Sequence, residues 1–297
     1  MSRATPTKRR REGRLAVWLL APSLVFVTIL GAFPVLSQFV LSFTHYNMKF
    51  ADERGFAGLD NFARLAADAT FLQDFWQTVY FTVISVGFEL TFGLAAALVL
   101  NRIGRGRAAL NTSIVLPWAL PTVVAATMWS LILNDRMGLL NSVLIRLGAI
   151  DAPVVWLGQG LAMGSIILAD VWKTTPFVAI ILLAGLKSIP DQYYEAASLD
   201  GAGRWHQFRF VTLPLLRPFI AIALLFRTMD AFRVFDIVWV LTGGATRTET
   251  LSVYIYRMLF RYSDLGYGSA MTVALFVIVF LMSLGLLKLL KASRETV

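Results

Sequence analysis

Six stretches of this chain are long and apolar enough to cross a lipid bilayer, and no other feature constrains its fold as much. A spanning helix needs about 20 consecutive, mostly apolar residues. Residues 15–43, 76–100, 110–133, 161–186, 216–241 and 269–290 meet that length. The first carries no charge and the other five carry few. In lipid every backbone N–H and C=O must be paired within the segment, so these stretches read as helices. Composition agrees: 57% of residues are hydrophobic and 15% charged, against roughly 45–50% and 25% in soluble domains. The expected fold is all-α, a polytopic membrane protein with about six transmembrane helices. One membrane domain covers residues 15–290, between a basic tail at 1–14 and a short tail at 291–297.

The chain has no cysteine, which excludes disulfides, thiolate catalysis and cysteine-ligated metal. The histidines are His45 and His206, far apart, so no histidine metal site is expected, and no catalytic set is recognisable. A net charge of +9 would suggest nucleic acid in a soluble protein. In a membrane protein it reports topology, because cytoplasmic connections collect Lys and Arg. Six crossings put both termini on one side. That side holds sixteen basic residues: Arg3, Lys8, Arg9, Arg10, Arg11, Arg14, Arg102, Arg105, Arg107, Lys187, Arg204, Arg209, Arg217, Lys288, Lys291 and Arg294. The opposite connections hold eight: Lys49, Arg54, Arg64, Arg136, Arg146, Arg247, Arg257 and Arg261. The termini are therefore expected in the cytoplasm, with the 8–11 run as an anchor beside anionic lipid and no nucleic-acid partner. The first stretch is too long for a secretory signal and lacks a small-residue cleavage site.

Pro22, Pro34, Pro117, Pro121 and Pro176 fall inside spans. Each either kinks a packed helix or marks a broken helix lining a pathway. Gly87, Gly93 and Ala95–Ala97 are candidates for close helix approach. The outer connections are long. One contains Phe56-Ala57-Gly58-Leu59-Asp60-Asn61-Phe62 and a short helix expected at 71–75; another contains Gly138-Leu139-Leu140-Asn141 and Val155-Trp156-Leu157; the third contains the aromatic-rich 251–262. They read either as interfacial helices in an aromatic belt or as a docking surface.

The cytoplasmic connection at 187–218 is the most informative segment. Pro190-Asp191 suits a helix start. A short amphipathic helix is expected over 193–199, a sharp turn at Gly201 and Gly203, and a second short helix over 205–210 closed by Leu213-Pro214. Two short helices around a glycine turn make a rigid knob.

This string resembles the cytoplasmic signature of ABC importer permeases: Glu195-Ala196-Ala197, Asp200-Gly201-Ala202, Phe208 and Leu213-Pro214. Gly58-Leu59-Asp60-Asn61-Phe62, Leu116-Pro117 with Pro121, and Phe235-Asp236 before Val240-Leu241-Thr242-Gly243-Gly244 resemble its carbohydrate branch, of the maltose/trehalose and glycerol-phosphate type. The segments 170–177 and 226–233 look most like trehalose or α-glucoside permeases. The resemblance implies a type I ABC importer permease fold in the bacterial inner membrane. It implies a coupling helix seated in one of two ATPase subunits, a second homologous permease, and an extracytoplasmic solute-binding protein. It also implies a cargo that is a sugar, or alternatively glycerol phosphate, a sulfonated sugar or a polyol. The chain has no phosphate-binding glycine loop, so ATP and Mg²⁺ are expected on the partner ATPase, with no cofactor and no catalysis here. An ATP-independent secondary transporter would need an internal repeat, and none is visible.

Glu89, Asp170, Lys173, Arg227, Asp230, Arg233 and Asp236 lie within apolar stretches. Intramembrane charges mark a functional site or a neutral ion-pair network. Arg227, Asp230, Arg233 and Asp236 are spaced by three and are expected to form one stripe on the fifth span, to which Glu89 or Asp170 could add a partner from another helix. Four deep charges cost roughly 12 kcal/mol, against about 6 returned by the apolar residues of that span, so the stripe should face the interior. Trp172, Lys173, Thr174, Asp230, Arg233, Asp236 and Trp239 are the candidate pathway residues, with Thr242 nearby. Aromatic faces with polar neighbours suit a sugar.

Overall fold

The computed structural model describes residues 6–50, 54–103, 114–245 and 247–292, with the side chains of 6–14, 16 and 289–292 left out. Arg3, Arg105, Arg107, Arg294 and the side chains of Lys8–Arg14 and Lys291 therefore lie outside the described residues. The described chain is helical almost throughout, and it divides into two compact units.

The first unit comprises Met1–Asp68 and Ile255–Phe276. Helix α1 (Pro6–Val27) passes through a π turn at Thr28–Ala32 into α2 (Phe33–Ser42), and Val17–Ser42 is long and apolar enough to span. None of its most apolar eighteen residues is buried. The backbone is thus helical from Pro6, so the basic tail begins as part of the span's helix. Beyond it, β1 (Thr44–His45) pairs antiparallel with β2 (Gly55–Phe56), and α3 (Asp60–Ala66) follows. Asn61 explains the fixed loop: its buried amide donates to Ser42 O at 3.0 Å and Thr44 O at 2.9 Å. Arg64 pairs with Asp264 at 3.0 Å and lies 3.8 Å over the Tyr267 ring, and Tyr267 Oη donates to Asp68 at 2.5 Å.

The second unit comprises Ala69–Tyr254 and Val277–Val297. It holds α4 (Ala69–Arg102), α5 (Thr122–Ile132), α6 (Leu139–Arg146), α7 (Ala162–Ser188), α8 (Asp191–Leu199), α9 (Arg204–Gln207), α10 (Leu213–Ala231) and α11 (Asp236–Thr242). Helices α12 (Leu251–Tyr256) and α13 (Leu265–Ala292) run across the boundary between units. Helix α7 is the axis of this unit, with 67% of its apolar window buried. It packs most extensively on α4. Gly93 of α4 makes that approach close: a Cβ there would sit 2.6 Å from Val178 Cγ1. Gly87 does not share this role, since nothing lies within 4 Å of its Cβ position. One core cluster gathers Phe81, Ile166, Ala169, Ile237, Val238 and Val253; another gathers Ala97, Val178, Leu182, Leu216 and Ala223.

Five helices among the described residues are long and apolar enough to span: Val17–Ser42, Ala69–Arg102, Ala162–Ser188, Arg204–Ala231 and Leu265–Lys288. The stretch expected at 110–133 is interrupted. Residues 114–119 are helical, Pro121 adopts φ −55° and ψ 137°, and helix resumes at Thr122. Pro121 is thus a break, whereas Pro22 and Pro176 sit inside continuous helices. The stretch expected at 216–241 also divides, because the helix ends at Ala231 and restarts at Asp236. The short helix expected at 71–75 is instead the start of α4, whose 34 residues reach about 51 Å, beyond a hydrocarbon core of about 30 Å. In the segment 251–262 the helix α12 turns inward, with Leu251 and Val253 wholly buried, while Phe260 and Tyr262 beyond it are 70% and 47% exposed.

Candidate translocation and coupling sites

Arg227 on α10 joins three helices. Its Nε and Nη2 donate to the two carboxylate oxygens of Glu89 on α4, at 2.5 and 2.7 Å. Nη2 also reaches Asp170 Oδ2 on α7 at 3.2 Å, and Nη1 reaches Asp230 one turn further along α10. Thr174 donates to Glu89 Oε1 at 2.8 Å. Glu89 is wholly buried and Arg227 is 3% exposed. A planar five-donor fork matches this set of carboxylates as an ammonium cannot.

A cavity of about 140 Å³ opens beside this cluster. It is lined by Lys173, Thr174, Asp230, Arg233 and Asp236, so the structure brings together five of the seven expected pathway residues. It does so differently from the expected stripe. Only Arg227 and Asp230 share a helix; Arg233 follows its end, and Asp236 begins the next. Arg233 turns its Nε back to Met229 O at 3.1 Å, which caps the broken helix end. Lys173 is 9% exposed, and its ammonium has no partner among the described residues. Trp172 and Trp239 do not line the cavity. Trp172 packs edge-on against Trp129, and Trp239 stacks on Phe235. Thr242 is committed to Val238 O and Thr248. Thr122, at the restart after Pro121, lines the cavity and was not among the expected residues. The helix break that Pro121 makes was its only sequence signal.

The knob follows α7. Pro190 opens α8, and Gly201 at φ +80° reverses the chain. Ala202 N bonds Ala197 O at 2.9 Å and Gly201 N bonds Ser198 O at 3.0 Å, a glycine-dependent helix end. Gln207 ties the turn together through Ser198 Oγ (2.8 Å) and Ala202 O (3.2 Å), and Tyr194 Oη meets Thr212 Oγ1 at 3.0 Å. Glu195, Ala196, Asp200 and Gly201 are exposed, and Ala197, Ala202 and Phe208 are half-buried. Leu199, Trp205 and Phe210 project with 89%, 70% and 59% of their surfaces exposed. The second helix of the knob is not separate as expected. Arg204–Gln207 runs through a π turn at Phe208–Thr212 into α10. Leu213 and Pro214 therefore begin the span's helix and do not close the knob. The π turn widens the helix where Pro214 has no N–H to give and its ring would crowd the preceding turn.

Among the described residues no group of three or more His, Asp or Glu is arranged to hold a metal. Several spanning helices, one broken across a charged cavity, and an exposed helical knob define a multi-pass membrane transport subunit. Residues 89–293 match the family of binding-protein-dependent transport system inner membrane components, and the chain belongs to it. It is an ABC importer permease of the type I fold in the inner membrane. It is 40% identical to the trehalose/maltose transport system permease protein MalF of Thermococcus litoralis, over 98% of each chain. It is 38% identical to the sulfoquinovosyl glycerol transport system permease protein SmoG of Agrobacterium fabrum, over 89% of this chain and 86% of that one. It is also similar to a chain of a bacterial ABC transporter that imports the acidic polysaccharide alginate, with a TM-score of 0.83 and 25% identity over 96% of this chain and 98% of that one.

Proposed function

We propose that this chain is the permease through which an ATP-driven importer passes a sugar, such as a di- or oligosaccharide or a glycoside, delivered by an extracytoplasmic solute-binding protein. Its similarity to a trehalose/maltose permease and a sulfoquinovosyl glycerol permease supports the sugar. The single observation that carries the transport role is the exposed, internally hydrogen-bonded knob from Asp191 to Phe208. In this reading two ATPase subunits, which hold ATP and Mg²⁺, receive the knobs of this chain and of a second, homologous permease. The chain binds no cofactor and is not itself an enzyme. Both termini face the cytoplasm. Glu195, Ala196, Ala197, Asp200, Gly201 and Ala202 form the coupling surface, while Phe208, Leu213 and Pro214 set its angle to α10. Lys173, Thr174, Asp230, Arg233 and Asp236 border the pathway, with carboxylates accepting from sugar hydroxyls and cations donating to them. A sulfonated sugar is the second reading, favoured by the unpartnered Lys173 ammonium.

The test is Glu195→Lys in the assembled transporter. Uptake should fall at least tenfold (about 1.4 kcal/mol) while ATP hydrolysis continues and protein level stays normal. Uptake at the unmodified rate would reject the coupling role.

A further inference from the structure

A groove beside the knob has a cationic mouth and an apolar trough, and the transport reading assigns no ligand to either. The mouth, about 350 Å³, is lined by Asn101 and Arg102 at the end of α4 and by Tyr194, Arg204 and Gln207 of the knob. Neither guanidinium has an acidic partner among the described residues. The trough, about 360 Å³, runs along Leu90, Leu94 and Leu98 of α4, walled by Leu182 of α7 and Ile220 of α10. Mouth and trough share Leu98. Thr91 adds no free donor to the trough, because its hydroxyl donates to Gly87 O at 2.8 Å.

Leu90, Leu94, Leu98 and Arg102 are spaced by four and lie on one face of α4. Twelve residues of helix rise about 18 Å, close to the depth of one leaflet, about 15 Å. The polarity also matches: arginines where headgroups sit, aliphatic side chains where acyl chains sit. Basic pockets between spanning helices bind anionic headgroups. A soluble phosphate compound would use the arginines and leave the trough empty.

We propose that this groove binds one anionic phospholipid, its phosphate at the Arg102–Arg204 end and one acyl chain along Leu98, Leu94 and Leu90. The headgroup then sits against Tyr194 and Gln207, the two side chains whose hydrogen bonds hold the knob. The site is distinct from the charged cavity at Arg227, and its test does not depend on which cargo the transporter carries.

The experiment uses the assembled transporter in nanodiscs of equal phosphatidylglycerol and phosphatidylcholine, followed by detergent stripping and native mass spectrometry of retained lipid. The unmodified protein should keep one phosphatidylglycerol. The double variant Arg102→Gln, Arg204→Gln should lose the preference for the anionic lipid by roughly 30-fold. Leu94→Trp, which fills the trough and keeps both arginines, should lose the retained lipid too. Val83→Trp, on an exposed face of the same helix, should keep it and so report intact folding. Millimolar inorganic phosphate should not displace it. Equal retention of both lipids, displacement by phosphate, or a Leu94→Trp variant that still retains phosphatidylglycerol would each overturn the proposal.

Discussion

Arg227 and Glu89 are 138 positions apart, yet the guanidinium of one grips both carboxylate oxygens of the other in the most buried part of the helix bundle. Breaking a buried pair by removing one partner costs about 3–5 kcal/mol, because the survivor is left uncompensated. Arg227→Met strands Glu89 together with Asp170. It should abolish recovery of monodisperse transporter after detergent extraction. Arg227→Lys keeps the charge but loses the fork, and should lower the thermal midpoint while leaving some folded protein. Normal recovery of Arg227→Met would mean that the cluster does not hold the three helices.

Lys173 and Asp230 separate the pathway reading from that structural one. Asp230 has a 69% exposed side chain, and without it the buried Arg227 still keeps Glu89 and Asp170. Lys173 has no partner to strand. Lys173→Met and Asp230→Asn should therefore assemble and hydrolyse ATP. Sugar uptake should fall about tenfold in each, the effect of losing one hydrogen bond to a charged group at roughly 1.5 kcal/mol. Unchanged uptake in both would move the pathway elsewhere.

Gly93 and Gly87 make a matched pair on α4. A Cβ at position 93 would press into Val178 at 2.6 and 2.8 Å, and one at position 87 would meet nothing. Gly93→Ala should destabilise by about 1–3 kcal/mol through overpacking. Gly87→Ala should be neutral or slightly stabilising, since alanine is the better helix former. Equal thermal midpoints for the two variants would show that α4 and α7 can separate without penalty.

What was legible in the sequence follows from what each signal reports. Apolar runs gave the spans, because lipid allows only internally bonded helices. The knob was legible because Pro190 and Gly201 act locally, through one capping geometry and one positive φ. The division of the fifth span was not legible: 216–241 holds no glycine and no proline beyond Pro218, and its break at 232–235 arises where Arg233 turns back to Met229 O. Spacing by three grouped Arg233 and Asp236 with Asp230, and they do line one cavity, but not as a helix stripe, since neither continues α10. Glu89 and Asp170 were legible as partners for the stripe from other helices, but that both meet Arg227, and at what distance, is set only by the packing of α4, α7 and α10. Trp172 and Trp239 lie outside that cavity lining, because an aromatic beside a polar residue is equally suited to packing on another ring.

Topology is testable because the chain has no native cysteine. Phe56, 83% exposed, lies on a connection that the basic residues place outside. Leu199, 89% exposed, reports the knob. In intact cells an impermeant thiol reagent should label Phe56→Cys and spare Leu199→Cys, and lysis should make both reactive. Labelling of Leu199→Cys in intact cells would reverse the orientation read from the basic residues.

Asn141 fixes the connection at 134–160. Its Oδ1 accepts from Val154 N at 3.1 Å and Trp156 Nε1 at 2.9 Å, and its Nδ2 donates to Val154 O at 3.0 Å and Asp135 O at 3.2 Å. The side chain is 3% exposed. Four partners from both ends of the loop thus converge on one amide, which needs both its donor and its acceptor atom. Asn141→Asp keeps the acceptor and loses the donor, and it sets a carboxylate against two carbonyls. Asn141→Leu keeps the volume and orphans two N–H groups. At about 1–3 kcal/mol per orphaned group the leucine variant should lose roughly 2–6 kcal/mol, nearer the lower figure because these bonds are only part-buried. Both variants should expose residues 134–160 to an added protease on the outer face while 76–100 stays protected. If Asn141→Asp resists cleavage as the unmodified chain does, the amide is not what holds the loop.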